Sequence, residues 1–348
     1  MNRFLGRCVC AFSMLGLAAV AAPAAAGPFS SLFIFGDSLS DTGNNAAVFD
    51  SMGAGSGLPP GALRTAVPLA LPDIIPTYPY ATDRYSNGPV WADYFASQLG
   101  VSLAPSMLGG SNFAFGGAKT VMGATATFPP SLQEQVGLFL DSGAGVPSDA
   151  LYVIAGGGND ARAVLTGADA ATTVANYVTA TLGMIGDLVG AGARDILLWT
   201  VPDIGLTPAV QLAGAGAAAS ALVDLMNGSL LAALSTLSLP DYVDIDVLDV
   251  AGFLRTVAAN PADFGLVDTS SACALDAACI ADADTTLFWD GIHPTTAGHA
   301  LLARAALAAV GVPEPATLLL VVIALGALLR ARGRGRQALC LVPFRSRT

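Results

Sequence analysis

What most limits the fold of this chain is a set of short apolar runs, each stopped by glycine, proline or aspartate. Residues 32–35 read Leu-Phe-Ile-Phe and stop at Gly36-Asp37. Residues 151–155 stop at Gly156-Gly157-Gly158-Asn159, and residues 196–200 stop at Val201-Pro202-Asp203. A fourth run, residues 242–248, has acids interleaved. Continuous apolar runs of this length predict strands buried on both faces. Helical stretches separate them: residues 90–99, 131–140, 172–189, 209–234 and 295–310. Ser131 and Glu134 stand at capping-box spacing, and Pro294 suits the first turn of the last helix. Strands alternating with helices predict a parallel sheet between two helical layers, with ligands beyond the carboxyl ends of the strands. Residues 51–83 are rich in Gly, Pro and Ala and carry no period. They read as a long insertion, either a rim over a site or a disordered excursion.

The two ends differ from this body. Arg3 and Arg7 precede an apolar run over residues 8–22, followed by Pro23-Ala24-Ala25-Ala26-Gly27. That is the pattern of a secretory signal peptide, residues 1–26, cleaved after Ala26 or nearby. At the other end Val312-Pro313-Glu314-Pro315 precedes an uncharged apolar run over residues 316–329 and then Arg330, Arg332, Arg334 and Arg336. The body, residues 27–311, is long enough for one large domain with a substantial core. It carries seven Lys and Arg against 25 Asp and Glu, a formal charge of −18. Such a surface repels phosphate backbones, which argues against nucleic acid as a partner. Of the five cysteines only Cys273 and Cys279 fall in the body, as a local disulfide in an oxidising compartment or as two free thiols. With two histidines in the chain and no CxxC spacing, a zinc site is not expected.

Four polar clusters sit at the predicted strand ends or helix starts. Ser38 follows Gly36-Asp37 just beyond the first strand, on a turn where both a base and a substrate could reach its hydroxyl. The G-x-S-x-G elbow is absent. In Asn112-Phe113-Ala114-Phe115-Gly116-Gly117 the adjacent glycines let a backbone N–H approach a ligand. Asn159, in Gly157-Gly158-Asn159-Asp160, can donate its side-chain amide to an oxyanion. Asp290 lies three residues before His293, so its carboxylate can hold one imidazole nitrogen and leave the other free as a base. His299, the second histidine, falls farther along the helix, facing solvent or core. Each of the first three clusters alone also fits a turn, a packing glycine or a helix cap. Together the four supply a nucleophile, a base, its orienter and oxyanion donors, the parts of an acyl-transfer site.

In these motifs the chain resembles the GDSL, or SGNH, hydrolases; Gly36-Asp37-Ser38-Leu39 spells the family's name. The resemblance runs through residues 35–44, 112–117, 157–160 and 290–294. Val201-Pro202-Asp203-Ile204-Gly205 also resembles a segment of the lipase-like branch. It implies a flavodoxin-like three-layer α/β/α sandwich with a mostly parallel sheet. It implies Ser38 as nucleophile, His293 as base and Asp290 as its orienter. The implied oxyanion hole is the Ser38 N–H, the Gly117 N–H, with Gly116 close behind, and the Asn159 amide. No metal or organic cofactor is implied. The expected activity is hydrolysis of acyl, lipid or aryl esters. Acyl transfer, carbohydrate O-acetyl ester hydrolysis and a non-catalytic surface or matrix role stay open.

Residues 312–336 resemble a PEP-CTERM sorting signal of Gram-negative bacteria, followed by a tail over residues 337–348. The partners so implied are signal peptidase and an exosortase-type protease, with transient inner-membrane association through the apolar run. The implied destination is the cell envelope, the cell surface or the medium. A permanent C-terminal anchor is the alternative.

Overall fold

The computed structural model describes residues 28–123 and 128–312. The expected signal peptide over residues 1–26 and the expected sorting signal and tail beyond residue 312 lie outside the described residues. The four apolar runs form one parallel sheet in the order β1 (Leu32–Gly36), β2 (Leu151–Ala155), β3 (Asp195–Trp199) and β4 (Asp244–Leu248). β1 and β2 pair from Leu32 with Leu151 to Gly36 with Ala155. Their two glycine-bounded ends therefore finish side by side. On the free edge of β1, Ile34 bridges Asn112 in parallel, and the Phe113 N–H donates to the Ile34 carbonyl at 2.7 Å. The Asn112 segment thus takes the place of a fifth strand, on the flavodoxin-like pattern.

Why these strands lack alternation is visible in their packing. Phe33, Phe35, Tyr152, Ile154, Ile196 and Leu198 point into one core. It is closed by α3 (Leu132–Asp141), α5 (Ala170–Ala191) and α7 (Gly216–Leu234). Leu32, Ile34, Leu151, Val153, Leu197 and Trp199 point into a second core. It is closed by α2 (Trp91–Leu99), α8 (Val250–Ala259) and α10 (Thr296–Ala309). Both faces of the sheet are apolar because each has its own helical layer, giving the three-layer α/β/α sandwich. Among the described residues, α7 alone is long and apolar enough to cross a membrane. It instead buries Ala219, Val223, Met226 and Leu230 against the first core.

Ser131 caps α3 reciprocally with Glu134, as its spacing predicts. The stretch 209–234 is not one helix: α6 (Pro208–Leu212) ends at Ala213-Gly214-Ala215 before α7, with Gly214 at positive φ. Alanine and leucine propensity alone conceals that break. Three helices that carry no clear sequence signal are α1 (Asn44–Gly55), α4 (Gly158–Leu165) and α9 (Ala277–Ala281). The insertion begins in the last turn of α1 and then runs irregularly over the sheet's carboxyl edge. It is packed rather than an excursion: Ile74 and Tyr80 are buried. A short parallel pair, β5 (Asp268–Ala272) and β6 (Thr286–Phe288), carries the chain to the start of α10. Cys273 and Cys279 are disulfide-bonded beside it.

Candidate active site

Ser38 sits on the turn that leaves β1. Gly36 is required there, because a Cβ would lie 2.7 Å from the Ala155 carbonyl and 2.9 Å from Ser40 Oγ. Gln135 of α3 holds the same residue, accepting the Gly36 N–H at 2.8 Å and donating to its carbonyl at 2.9 Å. The Asp37 carboxylate accepts the Leu39 N–H at 3.0 Å, closing an Asx turn around Ser38. Burial pushes Asp37 up to about 6, against that hydrogen bond.

The Asp290–His293 segment is a tight loop between β6 and α10. The Trp289 N–H donates to the His293 carbonyl at 2.8 Å, and Thr295 caps the helix that follows. Asp290, fully buried, accepts the Ile292 and His293 N–H groups at 2.9 and 2.8 Å. His293 Nδ1 lies 2.8 Å from Asp290 Oδ2, and Nε2 lies 2.8 Å from Ser38 Oγ. Residues 255 apart in sequence are thereby brought into one hydrogen-bonded series. Its far end is Tyr80, whose hydroxyl donates to Asp290 Oδ2 at 2.9 Å. Tyr80 has no local sequence signal, because it lies in the aperiodic insertion and is placed by tertiary packing against Trp289.

The glycine cluster is locked to the serine turn. Asp41 accepts the N–H groups of Gly43, Asn44 and Asn45 at 2.8, 2.7 and 3.2 Å, and that of Gly116 at 3.0 Å. Burial pushes Asp41 up to about 6 in spite of these donors. Asn44 donates to the carbonyls of Asn112 and Ala114, both at 2.8 Å. A Cβ on Gly116 would overlap the Tyr85 ring and the Asn45 amide. With the Gly116 N–H committed to Asp41, the next free donor is Gly117, held at φ 85°. Among the described residues neither the Ser38 N–H nor the Gly117 N–H meets a protein acceptor.

Asn159 does not cap α4. The cap position is Gly157, in the left-handed region, and Asn159 stands inside the first turn. Its Nδ2 donates to the Ala118 carbonyl at 2.9 Å, which uses one of two amide hydrogens. Its neighbour Asp160 accepts the Thr120 N–H at 2.9 Å, so α4 clamps the segment after Gly117 at two points. Ser38, Gly117, Asn159 and His293 all line a cavity of about 350 Å³. Arg162, one turn along α4, reaches into the same cavity and donates to Asn159 Oδ1 at 3.2 Å. Its signal in the sequence is the i, i+3 spacing from Asn159 in a body with only seven cations. His299 is fully buried in the core, with neither ring nitrogen partnered among the described residues. Burial, with a smaller contribution from His293, pulls it down to about 3.

Serine, histidine and aspartate thus stand in hydrogen-bonded series beyond the carboxyl edge of a parallel α/β sheet. Comparison with known proteins narrows the class. Residues 32–306 match the family described as GDSL-like Lipase/Acylhydrolase, and the chain belongs to that family. It is 30% identical over 341 residues to "Uncharacterized protein in trpE-trpG intergenic region" of Pseudomonas putida, covering 88% of this chain and 52% of that protein. It is 29% identical over 339 residues to "Esterase EstA" of Pseudomonas aeruginosa, covering 89% of this chain and 51% of that one. The chain thus spans about half the length of these Pseudomonas relatives. It is also 30% identical over 322 residues to "Acetylesterase" of Thermothelomyces thermophilus, covering 88% and 97% of the two chains.

Proposed function

We propose that this protein is an exported serine ester hydrolase that cleaves carboxylic esters of lipids or aryl alcohols through an acyl-enzyme on Ser38. The observation that carries this reading is the series Tyr80–Asp290–His293–Ser38, linked at 2.9, 2.8 and 2.8 Å. Asp290 fixes the imidazole with its proton on Nδ1, so Nε2 accepts the Ser38 proton as Oγ attacks the ester carbonyl. The negative oxygen of the tetrahedral intermediate takes hydrogen bonds from the Ser38 N–H, the Gly117 N–H and the uncommitted Asn159 amide hydrogen. His293 then returns the proton to the leaving alcohol. Water enters, loses a proton to His293 and attacks the acyl carbonyl, and Ser38 regains its proton as the acid leaves. Thr77, Tyr85, Asn159 and Arg162 give the cavity a polar lining, which favours water over a lipid alcohol as the second acceptor.

A chromogenic panel running from short aryl esters to phospholipids tests the activity. The expected result is hydrolysis with a stoichiometric burst of the first alcohol. Folded protein inert across the whole panel contradicts the reading.

The bonded Cys273–Cys279 pair supports an oxidising compartment, and so supports removal of residues 1–26 on export. The tail's apolar run of 14 residues reaches only about 21 Å as a helix, short of a ~30 Å hydrocarbon core. The arginines after Leu329 stay cytoplasmic by the positive-inside rule, leaving Pro313-Glu314-Pro315 at the outer interface for an exosortase-type protease. Intact mass of protein from its native host should show a chain starting near Gly27 and ending near Glu314. A mature chain that keeps residues 330–348 makes the tail a permanent anchor instead.

A further inference from the structure

The body carries seven cations, and most have evident work. Arg64 pairs with Asp50 and Asp83, Arg84 with Asp93, and Arg255 with Asp203 and Asp224. Arg194 lies over the Tyr242 ring. Arg304 is exposed on α10 and pairs with no carboxylate among the described residues; nor do Arg162 and Lys119. Both flank Gly117. Arg162 lines the 350 Å³ cavity over Ser38, and Lys119 lines a neighbouring cavity of about 200 Å³; Gly117 belongs to both walls. Burial pulls the Arg162 guanidinium down from the usual arginine range, with Asp290 and Asp37 opposing it from a distance. A guanidinium held in a cavity with one neutral hydrogen bond leaves most of its donors directed at whatever fills that cavity. In a chain so acidic, two unpaired cations beside the oxyanion donors need a reason.

We propose that Arg162, assisted by Lys119, recognises an anionic group on the substrate, a phosphate or a carboxylate close to the scissile ester. This rests on the ester-hydrolase reading and narrows its substrate class. A guanidinium binds either anion with two parallel N–H donors, and the half-buried position of Arg162 strengthens the contact. The anion can sit on the acyl or on the alcohol side.

Two matched pairs of substrates separate these sources. The acyl-side pair is the para-nitrophenyl monoester of glutaric acid against para-nitrophenyl pentanoate. The alcohol-side pair is a monoacylglycerol phosphate against the same monoacylglycerol. The wild-type enzyme should favour the charged member of at least one pair in kcat/KM. Arg162→Gln should cut kcat/KM for that member about ten- to a hundredfold more than for its neutral partner, the loss of one charged hydrogen-bonding contact. Arg162→Lys should recover part of the preference, and Lys119→Gln should show a weaker effect of the same sign. Equal losses on both members would overturn the proposal and leave Arg162 as a positioning residue for Asn159. So would a wild-type enzyme indifferent to charge in both pairs. Failure to hydrolyse any of the four esters defeats the ester-hydrolase reading, and this proposal with it.

Discussion

The Asp41 carboxylate accepts the Gly116 N–H at 3.0 Å, joining two turns 75 residues apart in sequence. Its other acceptor positions hold the start of α1 through Gly43, Asn44 and Asn45. The serine turn and the glycine turn therefore move as one piece. Asp41→Asn keeps the shape but turns an amide NH₂ toward donors on one side. The expected cost is about 2–3 kcal/mol of unfolding free energy, from buried N–H groups left unpaired. Urea titration measures it, and kcat should fall along with it. A variant as stable and as active as the parent means that the clamp holds nothing together.

His299 makes a pH prediction with a definite sign. Its folded form is pulled down to about 3, against 6.5 for the free side chain. Between those values the unfolded chain binds the extra proton, so stability is full above about 6.5 and is lost as pH falls. The wild type should lose about 2 kcal/mol more than His299→Leu between roughly pH 7.5 and pH 5. Asp37 and Asp41, both pushed up to about 6, slope the other way. They are common to the two proteins and cancel in the difference. Parallel pH dependence of the two chains would show that the fold does not lower the proton affinity of His299.

Asn159→Ala should keep its fold, because Asn159 caps no helix and the Asp160–Thr120 hydrogen bond still ties α4 to the segment after Gly117. Its loss should lower kcat roughly 10²–10³-fold, the usual effect of one missing oxyanion donor. The KM should change little. An unchanged kcat removes Asn159 from the oxyanion hole.

The Cys273–Cys279 bond closes a loop with a sequence separation of only six and packs in one cluster with Tyr80 and Trp289. Chain-entropy reasoning gives about 2 kcal/mol for a loop of this size. Replacing both cysteines by serine should cost that much, and mass spectrometry of the non-reduced protein should find the parent two hydrogens lighter than its reduced form. Free thiols in protein isolated from the envelope would refute the bond.

Much of this architecture was legible because strand ends and motifs coincide. The runs before Gly36, Gly156 and Val201 became β1, β2 and β3, and the chemistry-bearing residues gathered where those strands stop. Ser38, Asp290 and His293 were readable because each lies in a compact local motif. Tyr80 was not, since its partner Asp290 is 210 residues away and only tertiary packing joins them. Asp41 and Asn44 lay inside a recognised motif, yet nothing local says that their partners are Gly116, Asn112 and Ala114. The break at Gly214 is hidden because alanine-rich flanks read as continuous helix, and α4 because two glycines mask its start.

Covalent labelling tests most directly whether Ser38 carries the acyl group. A fluorophosphonate probe captures a serine only when a base and an oxyanion hole activate it. Peptide mapping of the labelled protein should find one adduct, on the peptide containing Ser38. Ser38→Ala should take up no probe and lose on the order of 10⁶ in kcat while keeping its melting temperature. An adduct on any other serine, or a Ser38→Ala protein that still hydrolyses esters at near the parent rate, would contradict the assignment.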